Sequence, residues 1–255
     1  MLLVSWNVAG RLRRVHEQAE RVLALEPDLV CLQELTAPSA VAWLELLVAA
    51  GFTVELAPLP RVRESSRPLA VLTAVRGHTQ AVPVRDVPWA ERVISVRLAS
   101  GLEVVNVHSP VSPKPGLAKV LTHEAVYRHL RSGSGPRLVC GDLNTPRREH
   151  ADGSVWTFAR DRQGRLRPDR GERWDAAETA LIRGLELHGF RDVFRELNGF
   201  AAKEPTWEWP RTGGGYRLDH LIASTEVEVP ECRYEHDWRR LDGLSDHSAL
   251  VARLA

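Results

Sequence analysis

Apolar residues recur along this chain in two periods, and the shorter one comes first. Leu2-Leu3-Val4-Ser5-Trp6-Asn7-Val8 is a brief apolar run that predicts a buried strand ending at the polar Asn7. Val15, Ala19, Val22, Leu23 and Glu26 then follow a helical period with one apolar stripe, stopped by Pro27. A second strand is expected over Leu29-Val30-Cys31-Leu32-Gln33, which leaves Glu34 at its carboxyl end. A helix from Ala40 to Ala50 closes at Gly51, and Phe52 to Leu56 reads as another strand. The opening is therefore β-α-β-α-β.

Between residues 57 and 107 the runs shorten and proline and glycine punctuate them: Leu69 to Val75, Thr79 to Val84, Val93 to Leu98 and Glu103 to Val107. Ser100-Gly101 fits a hairpin turn between the last two, so this part is antiparallel in character. Helical periodicity returns over Leu117 to Leu130 and Asp175 to Leu187, with strands expected at Leu138 to Cys140, Leu218 to Ala223 and Ser248 to Leu254. Mixed sheets with helices outside them are the simplest assembly. There is no internal repeat or low-complexity linker, so residues 1–255 are expected to form a single α/β domain. Residues 147 to 175 stand apart. They are arginine-rich with acidic residues nearly cancelling the charge, and Trp156 to Leu166 looks like a hairpin. This stretch reads as an exposed excursion, a solvated loop in preference to the cover of an active-site rim.

Composition narrows the class. Hydrophobic residues make up 44% and charged residues 26%, which fits a soluble globular chain and neither a disordered nor a membrane-spanning one. The apolar start, Met1 to Val8, has no basic lead and no small-residue cleavage site, so it reads as structure rather than a signal peptide, and the expected location is cytoplasmic. Cys31, Cys140 and Cys232 are far apart and sit mostly in apolar runs, as small buried hydrophobes do. The formal charge of +1 shows no strongly basic nucleic-acid footprint in the total and leaves room for a local patch. Of the 34 basic residues only Lys114, Lys119 and Lys203 are lysines. That bias toward arginine is read first as coding preference, although guanidinium is also the better planar donor to phosphate.

Polar residues gather at the ends of the expected strands: Asn7, Glu34, Asn106, His108, Asp142, Asn144, Asp219, Asp246 and His247. Singly, each is an ordinary turn former or a hydrogen-bonded bystander. Together, carboxylates, amides and imidazoles at strand ends can be aimed into one cleft. Hydrolysis of a phosphodiester needs that mixture, because the anionic oxygens repel a nucleophile and the charge developing at phosphorus must be neutralised. Glu34 and Asp246 suit a hard, oxygen-seeking ion such as Mg2+, with Mn2+ as a substitute. Zinc fits less well, since there is no cysteine pair and no histidine pair at ligand spacing on one helix.

Ser5-Trp6-Asn7-Val8, Leu32-Gln33-Glu34, Asn106-Val107-His108, Gly141-Asp142-Leu143-Asn144, Arg217-Leu218-Asp219-His220 and Ser245-Asp246-His247 resemble, in order, the motifs of the endonuclease/exonuclease/phosphatase superfamily. The match spans nearly the whole chain. The resemblance implies a DNase I-like, four-layer α/β sandwich, with two mixed β-sheets packed face to face, helices outside, and the cleft at one edge. It makes Glu34 the principal Mg2+ ligand, with Asn7 and Asp246 as ligands or water-mediated supports. Asp142 would orient and activate the attacking water, Asn144 would hold that water or a phosphate oxygen, and His247 paired with Asp219 would contact the phosphate. Either Asp142 or the His247–Asp219 pair would be the base. His108 would stabilise the transition state or protonate the leaving oxygen, and Arg92 would add a phosphate contact or form a surface ion pair.

The C-terminal half is most similar to exonuclease III-like abasic-site endonucleases, through Gly189-Phe190-Arg191-Asp192-Val193-Phe194-Arg195, Pro205-Thr206-Trp207 and Tyr216-Arg217-Leu218-Asp219. Trp207, Tyr216 and Leu218 fall where those enzymes build an apolar pocket for a flipped, base-less sugar. As packing or rim aromatics, Trp207 and Trp209 would have no such role. Two positions depart from that subfamily. Leu35-Thr36 replaces a small hydroxyl residue followed by lysine, and His108 stands where a tyrosine is usual, in an Asn-x-His context like DNase I and the sphingomyelinases. The reading is a monomeric, Mg2+-dependent phosphodiesterase acting on nucleic acid, expected to be DNA, as a repair-type endonuclease or 3′ exonuclease. The alternative is hydrolysis of a small phosphate: an inositol phosphate, a nucleotide or a phospholipid headgroup. A catalytically silent binding module would require loss of a catalytic residue, and all are present.

Overall fold

Strand β1 (Leu2–Asn7) leads into helix α1 (Val15–Leu23), strand β2 (Leu29–Leu35), helix α2 (Ala37–Ala49) and strands β3 (Thr53–Leu56), β4 (Ala70–Val75) and β5 (Thr79–Val82) in the computed structural model, which describes residues 1–59, 68–111, 116–209 and 214–255. Lys114 lies outside them. Strands β6 (Val93–Leu98) and β7 (Glu103–His108), helix α3 (Ala118–Ser132) and strand β8 (Arg137–Asp142) come next. Two short strands, β9 (Arg148–Glu149) and β10 (Val155–Trp156), precede helix α4 (Gly171–Ile182), strand β11 (Phe190–Asp192) and helix α5 (Val193–Asn198). The chain finishes with β12 (Trp207–Glu208), β13 (Gly215–Tyr216), β14 (Asp219–Ser224), β15 (Glu231–Glu235), α6 (Asp237–Arg240) and β16 (Ala249–Arg253).

Twelve of these strands form two six-stranded mixed sheets, ordered β15-β16-β1-β2-β4-β3 and β11-β14-β8-β7-β6-β5. In the first, β1 runs parallel to β2 and antiparallel to β16; in the second, β7 runs parallel to β8 while β14 is antiparallel to it. The β-α-β-α-β opening is present, but β4 separates β3 from β2, so β3 is an antiparallel edge strand. The Ser100-Gly101 turn joins β6 to β7 as expected, with Gly101 at φ 88°.

Strand alternation sorts the core into layers. Leu3, Leu29, Cys31, Val104, Leu138, Cys140 and Leu221 point between the sheets. Their neighbours Val4, Trp6, Val30 and Leu32 face α1 and α2 with Trp43 and Leu47, while Val105, Val139 and Ile222 face α3 and α4 with Val126 and Leu181. The result is the four-layer α/β sandwich that the resemblance implied, with all three cysteines buried and unpaired. Among the described residues, no helix is long and apolar enough to cross a membrane.

The arginine-rich stretch differs from the solvated loop read from its sequence. Arg160 and Leu166 pair as an isolated antiparallel bridge, but Thr157, Ala159 and Trp174 are buried and Ala159 and Trp174 pack with Val120 and Ala177. Enough apolar side chains alternate with its charges to dock it on α3 and α4.

Candidate active site

The alternation that buries Cys31, Val104, Cys140 and Leu221 continues to the strand ends and turns Asn7, Gln33, His108, Asp142 and Asp219 into the mouth between the sheets. β8 is central: Asp142 is flanked by His108 of β7 in parallel register and by Asp219 of β14 in antiparallel register. Behind this row Gln33 donates to the Asn106 Oδ1 at 2.9 Å, and Asn106 Nδ2 donates to the Leu72 carbonyl at 2.8 Å, tying the sheets together across a buried polar seam.

Glu34 arrives differently. By strict alternation it would share the face of Val30 and Leu32, away from the cleft. A bulge in the β2–β4 register between Leu32 and Leu35, with Glu34 itself at φ 60°, inserts one extra residue and brings its carboxylate to His108, 3.4 Å from Nε2. Asn144 also has left-handed backbone (φ 51°), a conformation asparagine tolerates. Its N–H donates to Asp142 Oδ1 at 2.9 Å and its Nδ2 to the Ser109 carbonyl at 2.8 Å.

Two groups of ligand atoms, each within 4.8 Å of one another, share Asp142: Glu34 with His108 and Asp142, and Asp142 with Asp219 and His247. Asn7 Nδ2 donates to Asp142 Oδ2 at 2.9 Å, and Asn7 Oδ1 accepts the Ala9 N–H at 3.0 Å. Burial, with the charges of Asp219 and Glu34, pushes the Asp142 carboxyl up to about 7 against the pull of His247. Burial would lower His247, but Asp219 at 2.8 Å from its Nδ1 and Asp142 at 3.8 Å from its Nε2 outweigh that and hold it at about 10. His108 has the opposite fate: burial, the Arg92 guanidinium and His247 keep it well below the ordinary histidine value. The shorter approach of Arg92 is to Nδ1, and an arginine can only donate, so the neutral ring carries its proton on Nε2, toward Glu34 and Asp142.

The Ser-Asp-His segment is pinned to the end of β1. Ser245 Oγ donates to the Asn7 carbonyl at 2.6 Å and accepts the His247 N–H at 3.1 Å, while Trp6 Nε1 donates to the His247 carbonyl at 3.0 Å. Asp246 is exposed and outside both groups, although its charge adds to the elevation of His247. Arg92 immediately precedes β6, at the strand start where the sequence reading placed it. It is 6% exposed beneath the cleft against His108, too enclosed for a surface ion pair.

Trp207 and Tyr216 face each other across the β12–β13 hairpin, rings nearly parallel with centroids 6.0 Å apart. Trp209 meets both edge-on, and Phe158 of the docked excursion packs edge-on against Tyr216 at 5.1 Å. Trp207 also forms an antiparallel backbone bridge with His247, which ties the aromatic hairpin to the Ser-Asp-His segment. Leu218 is buried below it, its carbonyl accepting the Leu143 N–H at 2.9 Å. Phe158, Ser109, His123, Lys119 and Glu178 also build this region and were not picked out from the sequence. His123 holds the Ser109 hydroxyl at 2.8 Å, and Lys119 and Glu178 lie behind the Asn144 loop. A lone lysine and glutamate on separate helices leave no motif to find.

The family model of the Endonuclease/Exonuclease/phosphatase family matches residues 4–247. Exodeoxyribonuclease III of Haemophilus influenzae is 23% identical, with 99% of each chain covered. Among solved structures, an AP endonuclease from Archaeoglobus fulgidus superposes with a TM-score of 0.76 at 21% identity, covering 100% of this chain and 99% of that one. The Neisseria 3′ phosphatase NExo, bound to a product DNA hairpin, superposes with a TM-score of 0.71 at 20% identity, with 100% and 99% covered.

Proposed function

Because this chain belongs to the endonuclease/exonuclease/phosphatase family, we propose that it is a Mg2+-dependent hydrolase of DNA phosphodiesters, a repair-type endonuclease or 3′ exonuclease. The observation that carries the reading is the pair of overlapping acid–histidine groups meeting at Asp142. The residues fit a hard cation. His108 Nε2 bears a proton and cannot ligate, which leaves the Glu34 carboxylate as the donor on that side, with Asp142 beside it. One or two carboxylates with retained waters is the ligand set Mg2+ prefers. Asp142, raised toward neutrality by burial and by the charges of Asp219 and Glu34, is suited to take up a proton near neutral pH. When bound, the ion would neutralise phosphate oxygens and acidify water. Asn7 supports this set by fixing Asp142, and Asp246 contributes charge from outside it.

The chain's own groups divide the remaining work. His247, clamped to Asp219, is an imidazolium and therefore donates to a phosphate oxygen, so Asp142 is left to accept the proton of the attacking water. Asn144 borders the same water or phosphate oxygen. His108, neutral and fixed by Arg92, donates through Nε2 to the charge that develops on phosphate and is poorly suited to protonate the leaving oxygen. Trp207, Tyr216 and Leu218, with Trp209 and Phe158, offer stacking surface for a nucleotide or the wall of a pocket for a base-less sugar. This aromatic wall favours a nucleic acid over an inositol phosphate or a phospholipid headgroup. The DNA-directed relatives support the same choice.

The test is a Mg2+-dependent cleavage panel with Asp142→Asn as control: duplex DNA with an abasic site, intact duplex, single-stranded DNA, RNA, and inositol and nucleotide phosphates. Incision of DNA that Asp142→Asn abolishes is expected. Turnover confined to the small phosphates would overturn the substrate, and activity retained by Asp142→Asn would overturn the site.

A further inference from the structure

Lys119, at the start of α3, is 1% exposed, an ammonium taken almost wholly out of water. Its Nζ lies 2.7 Å from Glu178 Oε1, donates to the Asn144 carbonyl at 2.7 Å, and stands 5.1 Å from the centroid of the Phe158 ring. Glu178, equally buried, is satisfied on both oxygens. Oε1 also accepts Trp174 Nε1 at 2.6 Å, while Oε2 accepts the Thr145 hydroxyl at 2.6 Å and the Phe158 N–H at 2.9 Å. One ion pair therefore grips the loop after β8 at two successive residues and the arginine-rich excursion at a third.

Stability alone does not call for this arrangement. A buried ion pair replaced by apolar side chains of similar volume commonly leaves a protein as stable or more so, because two desolvation penalties disappear. What apolar side chains cannot do is hold a carbonyl, a hydroxyl and a backbone N–H in fixed places. We infer that Lys119, clamped by Glu178, is a positioning residue that fixes Asn144 beside Asp142 and sets the Phe158–Tyr216 aromatic wall against them. The Asn144 side chain is anchored separately, through Nδ2 to Ser109, whose hydroxyl His123 holds. Lys119 thus fixes the backbone end of a residue whose amide is already tethered, and with both holds in place Asn144 has one orientation. The inference rests on the proposed roles of Asp142 and Asn144 in hydrolysis.

The experiment compares four variants on duplex DNA carrying an abasic site, with Mg2+: Lys119→Met/Glu178→Leu together, Lys119→Arg, Trp174→Phe and Asp142→Asn. The double variant keeps a packed, uncharged interior but leaves the Asn144 carbonyl, the Thr145 hydroxyl, the Phe158 N–H and Trp174 Nε1 without their partners, so it should unfold at a lower temperature while remaining folded in the assay. Its kcat should fall about 100-fold with KM little changed, as expected when reacting groups are displaced by a fraction of an ångström. Lys119→Arg, which keeps charge and donors, should recover a large part of that loss. Trp174→Phe removes another donor from the Oε1 that Lys119 shares, leaves the Lys119 bond to the Asn144 carbonyl and the Thr145 bond in place, and should lower stability without lowering kcat. A double variant with wild-type kcat, or losses that follow the unfolding temperature across all variants, overturns the inference. If Asp142→Asn stays active, the reading of the site has failed instead. A crystal structure of the double variant then decides: displaced Asn144 and Phe158 uphold the positioning role, and unmoved ones refute it.

Discussion

Asp219 accepts the Nδ1 proton of His247 at 2.8 Å, and its other carboxylate oxygen is buried without a hydrogen-bond partner among the described residues. A carboxylate so poorly served elsewhere has its charge concentrated on one imidazole, which holds the His247 ring well above the ordinary histidine value despite its burial. Asp219→Asn keeps the shape and removes the charge. Its kcat is expected to fall on the order of 10²–10³-fold, the range for losing a positioned proton donor, with substrate binding less affected. Single-turnover cleavage at saturating DNA measures it, and wild-type rates would take the pair out of the mechanism.

Glu34 reaches the cleft only because β2 bulges, and its oxygen lies 3.4 Å from His108 Nε2. Glu34→Gln should therefore raise the Mg2+ concentration for half-maximal cleavage by about 10–100-fold. The rise in unfolding temperature that Mg2+ gives the wild type, by binding the native state alone, should shrink in parallel. If neither titration shifts, the ion sits elsewhere.

These two residues mark where the sequence was legible and where it was not. Asp142, Asp219, His108 and Asn7 continue the two-residue alternation of the strands they end, so strand reading places them together at one edge. Glu34 breaks that alternation, and nothing in Leu32-Gln33-Glu34-Leu35 announces a bulge; its carboxyl chemistry suited a hard cation, and the resemblance made it the principal ligand. Asp246 shows the converse, adjacent to His247 in sequence yet turned out to solvent, because Ser245 and His247 are the two residues that the end of β1 holds. The sandwich followed from alternating runs and helical stripes, but β3 as an edge strand depends on long-range pairing with β4. The docking of the 147–175 stretch was hidden because its charges outnumber the few side chains that anchor it.

Gly141 precedes Asp142 with φ 123°, and a β-carbon there would collide with the Val107 carbonyl oxygen of the neighbouring strand. The close β7–β8 approach that sets His108 beside Asp142 thus requires glycine. Gly141→Ala should destabilise the protein by on the order of 3 kcal/mol or more, read from urea unfolding. A stability equal to wild type would mean that the two strands can separate there without penalty.

Trp209 is 48% exposed at the outer side of the Trp207–Tyr216 pair, a place suited to stacking on a base. Trp209→Ala should raise KM for DNA about tenfold, the lower part of the range for one lost base–aromatic stack, while kcat holds. Trp207→Ala, nearer His247, should impair abasic DNA more than intact DNA. Equal impairment of the two substrates would make these rings general nucleic-acid contacts and remove the base-less sugar pocket.

Below the aromatic hairpin, Glu149 is chelated by Arg195 and Arg217, each at 2.6 Å, and Arg217 also holds Asp192 at 2.6 Å. Burial would raise the Glu149 carboxyl, but the Arg217 charge and the hydrogen bonds from both guanidiniums hold it at about 2, and Arg217 with His220 depresses Asp192 as well. A carboxyl depressed on folding contributes stability that is complete above its unfolded value near 4.5 and is lost as pH falls toward its folded one. The unfolding free energy should therefore drop between pH 4.5 and about 2, with a slope near 1.4 kcal/mol per pH unit for each such carboxylate. Glu149→Gln should lower stability at neutral pH by on the order of 3 kcal/mol, because it leaves two buried guanidiniums short of a counter-charge, and should flatten the acid limb. Denaturant unfolding of both proteins across that pH range measures the two effects together. A variant curve displaced downward but parallel to wild type would show that Glu149 does not titrate with unfolding, and the acid sensitivity would then belong to Asp192 and the other buried carboxylates.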